Sequence, residues 1–236
     1  MGELPWLDPS FPAFPPTENA LENPEGLLAA GGNLSPAALQ DAYSKGIFPW
    51  FSEGEPILWW APRFRATLLP EKLRISRGSR KQLRNLPFSV TSDSVFEEVI
   101  RACAEQRKNS GTWITEEIIG AYIRLHDLGI AHSVEVWEGE VLVGGLYGLK
   151  LGSVFCGESM FNLRDSAAKF AFCNLSHRLF SQGFSMIDCQ IPNDFLESLG
   201  VRVIPRNEFE KTLAAAQASQ VSWPSDWSNI DLNEVL

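Results

Sequence analysis

Three β-rich runs, His132–Trp137, Val141–Lys150 and Ser153–Ser159, follow one another with almost no chain between them. Strands joined so tightly pair antiparallel, because a parallel return needs a crossover of a dozen or more residues. Glu138-Gly139-Glu140 supplies the turn of the first hairpin. A helical pattern over about 165–181, stopped by Gly183, separates this meander from a fourth run, SMIDCQ, at 185–190. Antiparallel strands followed by one βα crossover predict an α+β sheet, not a doubly wound one. A central, mostly antiparallel sheet with flanking helices is the element order of acetyltransferase-like (GNAT-type) folds.

The remaining elements fit around that meander. Ser35 caps a helix with Pro36 at its first position and Gly46 at its end. Short strands are expected around Ile57–Trp60 and Arg65–Leu69, a helix over Arg77–Leu86 and a strand at Phe88–Thr91. Ser92 or Asp93 caps a helix through Glu105 with Val95, Val99, Ile100 and Cys103 on one side. Thr115 opens another that Gly129 ends. Asn193 caps a helical turn to Leu199, VRVIP is a short strand, and Asn207–Ala218 is a final helix. Residues 1–34, rich in Pro, Asn and Gly, read as irregular chain. A boundary near residue 64 divides a small N-terminal domain, 1–64, from a larger acetyltransferase-like domain, 65–236.

The chemistry is first bounded by what is missing. MGELPW has neither the basic start and apolar run of a signal peptide nor Ser or Thr at position 6 for myristoylation. No apolar run reaches ~20 residues, so no membrane span is expected. Cys103, Cys156, Cys173 and Cys189 are widely spaced, which predicts free thiols in a reducing cytoplasm and no metal site. His126, His132 and His177 are read as helix or strand residues. No GxxxxGK[ST], no GxGxxG and no pyrophosphate loop for coenzyme A is visible, and no cofactor is expected. The glycines of GGLYG, 144–148, mark a bulge or a close backbone approach.

Charge is unevenly placed. The chain has 20 Lys and Arg against 29 Asp and Glu, a net −9. Residues 72–84, KLRISRGSRKQLR, hold six basic residues and no acid, leaving −15 for the rest once those six charges are set aside. On a helix Arg77, Arg80, Lys81 and Arg84 share one face. That stripe is either a solvated face or a polyanion site, and an acidic surround concentrates the field on it. Asp188 is an acid on an apolar strand, with Met186 and Gln190 on its face by alternation. Such a carboxylate needs a partner, an Arg in the simplest case, or a catalytic reason. Glu158 poses the same question. Strict alternation sets it opposite Phe155, and a bulge at Gly157 would realign the two. Among the aromatics, Trp50, held between Pro49 and turn residues, is the one expected on a pocket wall.

Seven strings in register, GGNLSP (31–36), GIFPWF (46–51), PILWWAPR (56–63), GTWIT (111–115), HSVEVW (132–137), CGESMF (156–161) and IDCQ (187–190), resemble the leucyl/phenylalanyl-tRNA–protein transferase family. The resemblance runs from about residue 12 to 206 and leaves out the last thirty residues. It implies a cytoplasmic enzyme moving Leu, Phe or Met from aminoacyl-tRNA to the α-amine of an N-terminal Arg or Lys, which marks the protein for degradation. It further implies a side-chain pocket of Trp50, Trp113, Phe155 and Met160, and a catalytic Asp188 with Gln190 beside it. Glu158 would lie near the acceptor, and Arg77, Arg80, Lys81 and Arg84 would bind tRNA. Phe195 stands where the family has a His, and Leu146 and Leu175 replace a Met and a Phe. The rival readings are a coenzyme A-dependent N-acetyltransferase and a non-enzymatic tRNA-binding module.

Overall fold

A computed structural model describes residues 4–108 and 111–227. The meander forms where the short turns demand it: β7 (Ala131–Glu138), β8 (Val141–Leu151) and β9 (Val154–Asn162) pair antiparallel in succession. With β5 (Phe64–Leu68), β6 (Phe88–Ser92), β10 (Met186–Gln190) and β11 (Arg202–Pro205) they make a seven-stranded sheet, order β11-β5-β10-β9-β8-β7-β6. Of its six pairings, β9 with β10 alone is parallel. The crossover between them is α5 (Ala167–Ser181), the helix whose length the sequence pattern marked.

Two apolar layers cover this sheet. On one face, α5 and α2 (Arg77–Arg84) pack over Val134, Val136, Leu146, Phe155 and Ile187. On the other, α1 (Pro36–Ser44), α3 (Phe96–Arg107), α4 (Glu116–Asp127) and α7 (Arg206–Gln217) cover Tyr147, Leu149, Cys156 and Met186. The shortest helix, α6 (Asp194–Ser198), starts as expected at Asn193, whose side chain accepts from Leu196 N. The Ser35 and Thr115 caps also form, on Ala38 N and Ile118 N. The α3 cap does not. Val95 holds that position, while Asp93 turns left-handed at φ 56° and spends its carboxylate on Ser133 N and His132. Two glycines of the 144–148 run mark close approach: a Cβ on Gly144 would lie 2.5 Å from Ala167 Cβ, and one on Gly148 2.2 Å from Cys156 O.

The N-terminal stretch is more ordered than its composition indicates. Strands β1 (Trp6–Leu7), β2 (Leu27–Gly31), β3 (Phe48–Pro49) and β4 (Leu58–Trp60) form a second sheet, order β1-β2-β4-β3. Polar turn residues there hid two short strands, because such strands take their stability from pairing rather than propensity. Leu28, Phe48 and Trp59 of this sheet share one apolar cluster with Val99, Ile118 and Tyr122. No helix among the described residues is long and apolar enough to cross a membrane.

Candidate active site

Strands β9 and β10 stay paired from Met186↔Val154 to Asp188↔Cys156 and then part. Two bulges widen the gap. Opposite β8, Tyr147 pairs with Ser159 and Gly148 with Gly157, so Glu158 is the extra residue. Opposite β5, Asp188 pairs with Thr67 and Gln190 with Ala66, so Cys189 is extra. Gln190 sits at φ 53°, a left-handed conformation uncommon for a residue with a Cβ. A cavity of about 380 Å³ opens in this fork.

Apolar side chains make up much of the cavity lining, among them Leu146, Phe155, Met160, Phe172 and Leu175. Trp50 and Trp113 stand at it too, and the Trp50 ring lies 5.7 Å from that of Trp60. Trp60 Nε1 also donates to Trp50 O at 2.7 Å, fixing the turn that carries it. Among the described residues the lining holds one acid, Glu158, together with Gln190, Ser159 and Arg107.

Glu158 is tightly bonded. Tyr122 OH donates to Oε2 at 3.0 Å, and Gln190 Nε2 donates to Oε1 at 3.0 Å. Tyr122 OH in turn lies 2.5 Å from Tyr43 OH. Burial pushes the Glu158 carboxyl up to about 7, although the tyrosine hydroxyls pull against the shift. Burial first, and then the charge of Glu158, hold the phenols of Tyr43, Tyr122 and Tyr147 well above their usual range, so they remain protonated.

Asp188 lies on the other side of its strand. Its carboxylate is fully buried and pairs in bidentate fashion with Arg65, Nε to Oδ1 at 2.8 Å and Nη2 to Oδ2 at 2.7 Å. The Arg65 guanidinium sits between the rings of Phe48 and Phe209, 4.7 and 4.6 Å from their centroids. Its remaining Nη1 donates to Gly46 O at 2.8 Å. Asp188 Oδ1 also accepts the amide of Gln190 at 3.0 Å. One buried ion pair thus ties the end of α1, and with it the Phe48–Trp50 turn, to the strained residue at the fork.

Sequence comparison decides what this arrangement is. A family profile described as leucyl/phenylalanyl-tRNA protein transferase matches residues 67–214, and one for that family's N-terminal domain matches 32–63. The chain belongs to this family. Relatives named leucyl/phenylalanyl-tRNA–protein transferase include one from Chromobacterium violaceum, 53% identical over 89% of this chain and 90% of its own. Another, from Saccharophagus degradans, is 46% identical over the whole of both chains. Among solved structures, FemX is similar with a TM-score of 0.47 and 11% identity, over 72% of this chain and 66% of its own.

Among the residues singled out in this transferase-family sequence, the fork brings together Trp50, Trp113, Phe155, Met160, Glu158 and Gln190. Leu146, Leu175 and Phe195 join them. The bulge required to place Phe155 and Glu158 on one cavity is present, one residue beyond Gly157. Asp188 differs. Alternation was expected to put it on the face of Gln190, but the left-handed turn sends the Gln190 side chain to the cavity and leaves Asp188 facing Arg65. The Arg-paired reading of Asp188 is the one the geometry matches. Arg65, Tyr43, Tyr122, Tyr147 and Arg107 went unmarked. An Arg inside the apolar strand RATLL was the available signal for Arg65, whereas Tyr43 and Tyr122 come near Glu158 only through the packing of α1 and α4.

The basic residues form a separate feature. Ser76 caps α2 by accepting from Ser79 N, and Leu83 is the helix's buried contact. Arg77, Lys81 and Arg84 are exposed, while Arg80 is half-buried with its Nε on Ile75 O at 3.1 Å. None of the four lines the cavity.

Proposed function

We propose that this chain moves Leu, Phe or Met from aminoacyl-tRNA to the α-amine of proteins that begin with Arg or Lys, marking them for degradation in the cytoplasm. The observation that carries this reading is one cavity in the fork whose lining combines apolar side chains with, among the described residues, a single carboxylate, Glu158. The apolar part of the lining, with Trp50, Trp113, Phe155 and Met160, suits an uncharged donor side chain, and Glu158 suits the cation of the acceptor. In the same reading, residues 1–64 are a small N-terminal domain that contributes Trp50 and Tyr43. Residues 65–236 are an acetyltransferase-like domain, and its parallel pair β9 and β10 parts to make the fork.

The donor is an ester, already activated, so the reaction asks for positioning and proton transfer. Gln190 donates its Nε2 to Glu158, because its carbonyl oxygen would repel the carboxylate there. That leaves the Gln190 carbonyl oxygen to accept from the incoming α-amine. The neutral amine attacks the ester carbonyl, and its lost proton passes to Glu158, whose carboxyl at about 7 is matched to that task. The new C–N bond forms, the C–O bond to the terminal ribose breaks, and the proton ends on the ribose oxygen. Asp188 acts at one remove, holding the Gln190 backbone and neutralising Arg65. Arg77, Arg80, Lys81 and Arg84 carry the tRNA through its phosphates, which positions the substrate without reading its sequence.

Transfer of radiolabelled Leu from tRNA to an Arg-initiated peptide tests the reading. Incorporation is expected with Arg- and Lys-initiated peptides and not with an Asp-initiated one. Acetyl transfer from coenzyme A, or tight tRNA binding without incorporation, would favour the two rivals instead.

A further inference from the structure

Beyond the last residue matched by the family profile, the chain continues without helix or strand from 218 to 227, and it returns to the sheet. Trp223 is the centre of that return. Its indole stacks on His132 at 4.1 Å with planes 8° apart, and its Nε1 donates to Ser92 Oγ at 3.0 Å. The same ring lies 5.5 Å from Phe155, 6.3 Å from Phe184 and 5.7 Å from Trp227. The segment is pinned further on: Arg178 donates to Asp226 O at 2.6 Å, and its guanidinium covers Trp227 at 5.3 Å.

Phe155 is the link to the cavity. It lines the cavity, and its ring lies directly on the Gly148 backbone: a Cβ there would come within 2.6 Å of Phe155 Cζ, so β8 bounds the ring on that side. Trp223 does not line the cavity. It stands against Phe155, ring centroids 5.5 Å apart, so the indole and the Gly148 backbone both bear on the Phe155 ring. We propose that Trp223 is a positioning residue for the donor pocket. By holding Phe155 in place it sets the depth of the apolar part of the cavity, so the tail tunes the choice between Leu and the larger Phe. This rests on the transferase reading given above.

Removing the indole frees Phe155 to move outward and deepens the pocket. Trp223→Ala is therefore expected to raise the Phe-to-Leu ratio of kcat/KM about ten-fold, the low end of what a methylene-sized change in an apolar pocket gives. Affinity for deacylated tRNA should stay as in wild type, because α2 is untouched. Trp223→Phe should bring the ratio most of the way back. Ser92→Ala, which loosens the indole without removing it, should move the ratio the same way by less. It also decides the matter if Trp223→Ala fails to fold. Equal losses with both donors, or an unchanged ratio in a folded variant that still transfers, would show the tail to be a cover and overturn the proposal. A wild-type chain that transfers neither residue would sink the transferase reading itself.

Discussion

Arg65 and Asp188 form an ion pair without access to water, so each is stable only because of the other. Removing one partner leaves a buried charge uncompensated, at a typical loss of about 3–5 kcal/mol. Asp188→Asn should therefore lower the midpoint of denaturant unfolding as well as transfer. Unchanged stability with lost transfer would restore a direct catalytic role to Asp188. Glu158→Gln should behave in the opposite way. The amide is isosteric and adds no buried charge, so stability should not fall, while Arg- and Lys-initiated peptides should show a lower kcat as well as a higher KM and the KM for aminoacyl-tRNA should change little. In the apolar lining, Trp50→Ala loses a large contact and should weaken use of Leu and Phe donors by about 3 kcal/mol or less. Equal kinetics for variant and wild type would remove Trp50 from the pocket.

Helix α2 carries its basic residues on one face and its buried contact, Leu83, on another. Leu83 is buried, and Gln82 donates to Ser166 Oγ at 3.1 Å at the start of α5, so the helix is held without its cations. Replacing Arg77, Arg80 and Lys81 by Ala should then leave the fold intact. Each phosphate contact releases counterions with a log–log salt slope of about −0.7 to −0.9. The triple variant should bind tRNA more weakly and with a slope flatter by roughly two units, because Arg80 already spends its Nε on Ile75 O. A salt titration of tRNA binding reads this, and parallel lines for variant and wild type would move the RNA to another surface. Preference among donor amino acids should survive, since none of these residues lines the cavity.

Across the whole molecule, Glu158 couples activity and stability to pH. In the proposed mechanism transfer needs the Glu158 carboxylate ionised and the α-amine, with a pKa of about 7.7–8.0, neutral. Peptide kcat/KM should therefore climb steeply with pH below about 7, with a log slope approaching two in wild type and one in Glu158→Gln. Stability runs the other way. The folded carboxyl sits at about 7, above its unfolded value near 4.3, so the folded state binds the extra proton. Its contribution is fully present at low pH and is lost as pH rises from about 4.3 to 7. Unfolding midpoints compared across that window should show the loss in wild type and not in Glu158→Gln.

Short-range order was legible in the chain. The turn at Gly139 forces the hairpin, Ser35, Thr115 and Asn193 announce their helices, and Gly148 reports that another backbone comes close. Such signals need only neighbours within a few residues. Seven motifs in order also carried the family. The site itself depends on contacts across long separations, which no periodicity encodes. Alternation puts Asp188 and Gln190 on one face, and a single left-handed residue separates them, because the ion pair to a residue 123 positions away fixes the backbone there. Trp223 lies in a tail with no pattern at all, and it acquires meaning when folding lays its ring on His132 and Phe155. Local sterics and hydrogen bonding set the elements; burial of charge and aromatic surface between distant segments sets which side chains face the cavity.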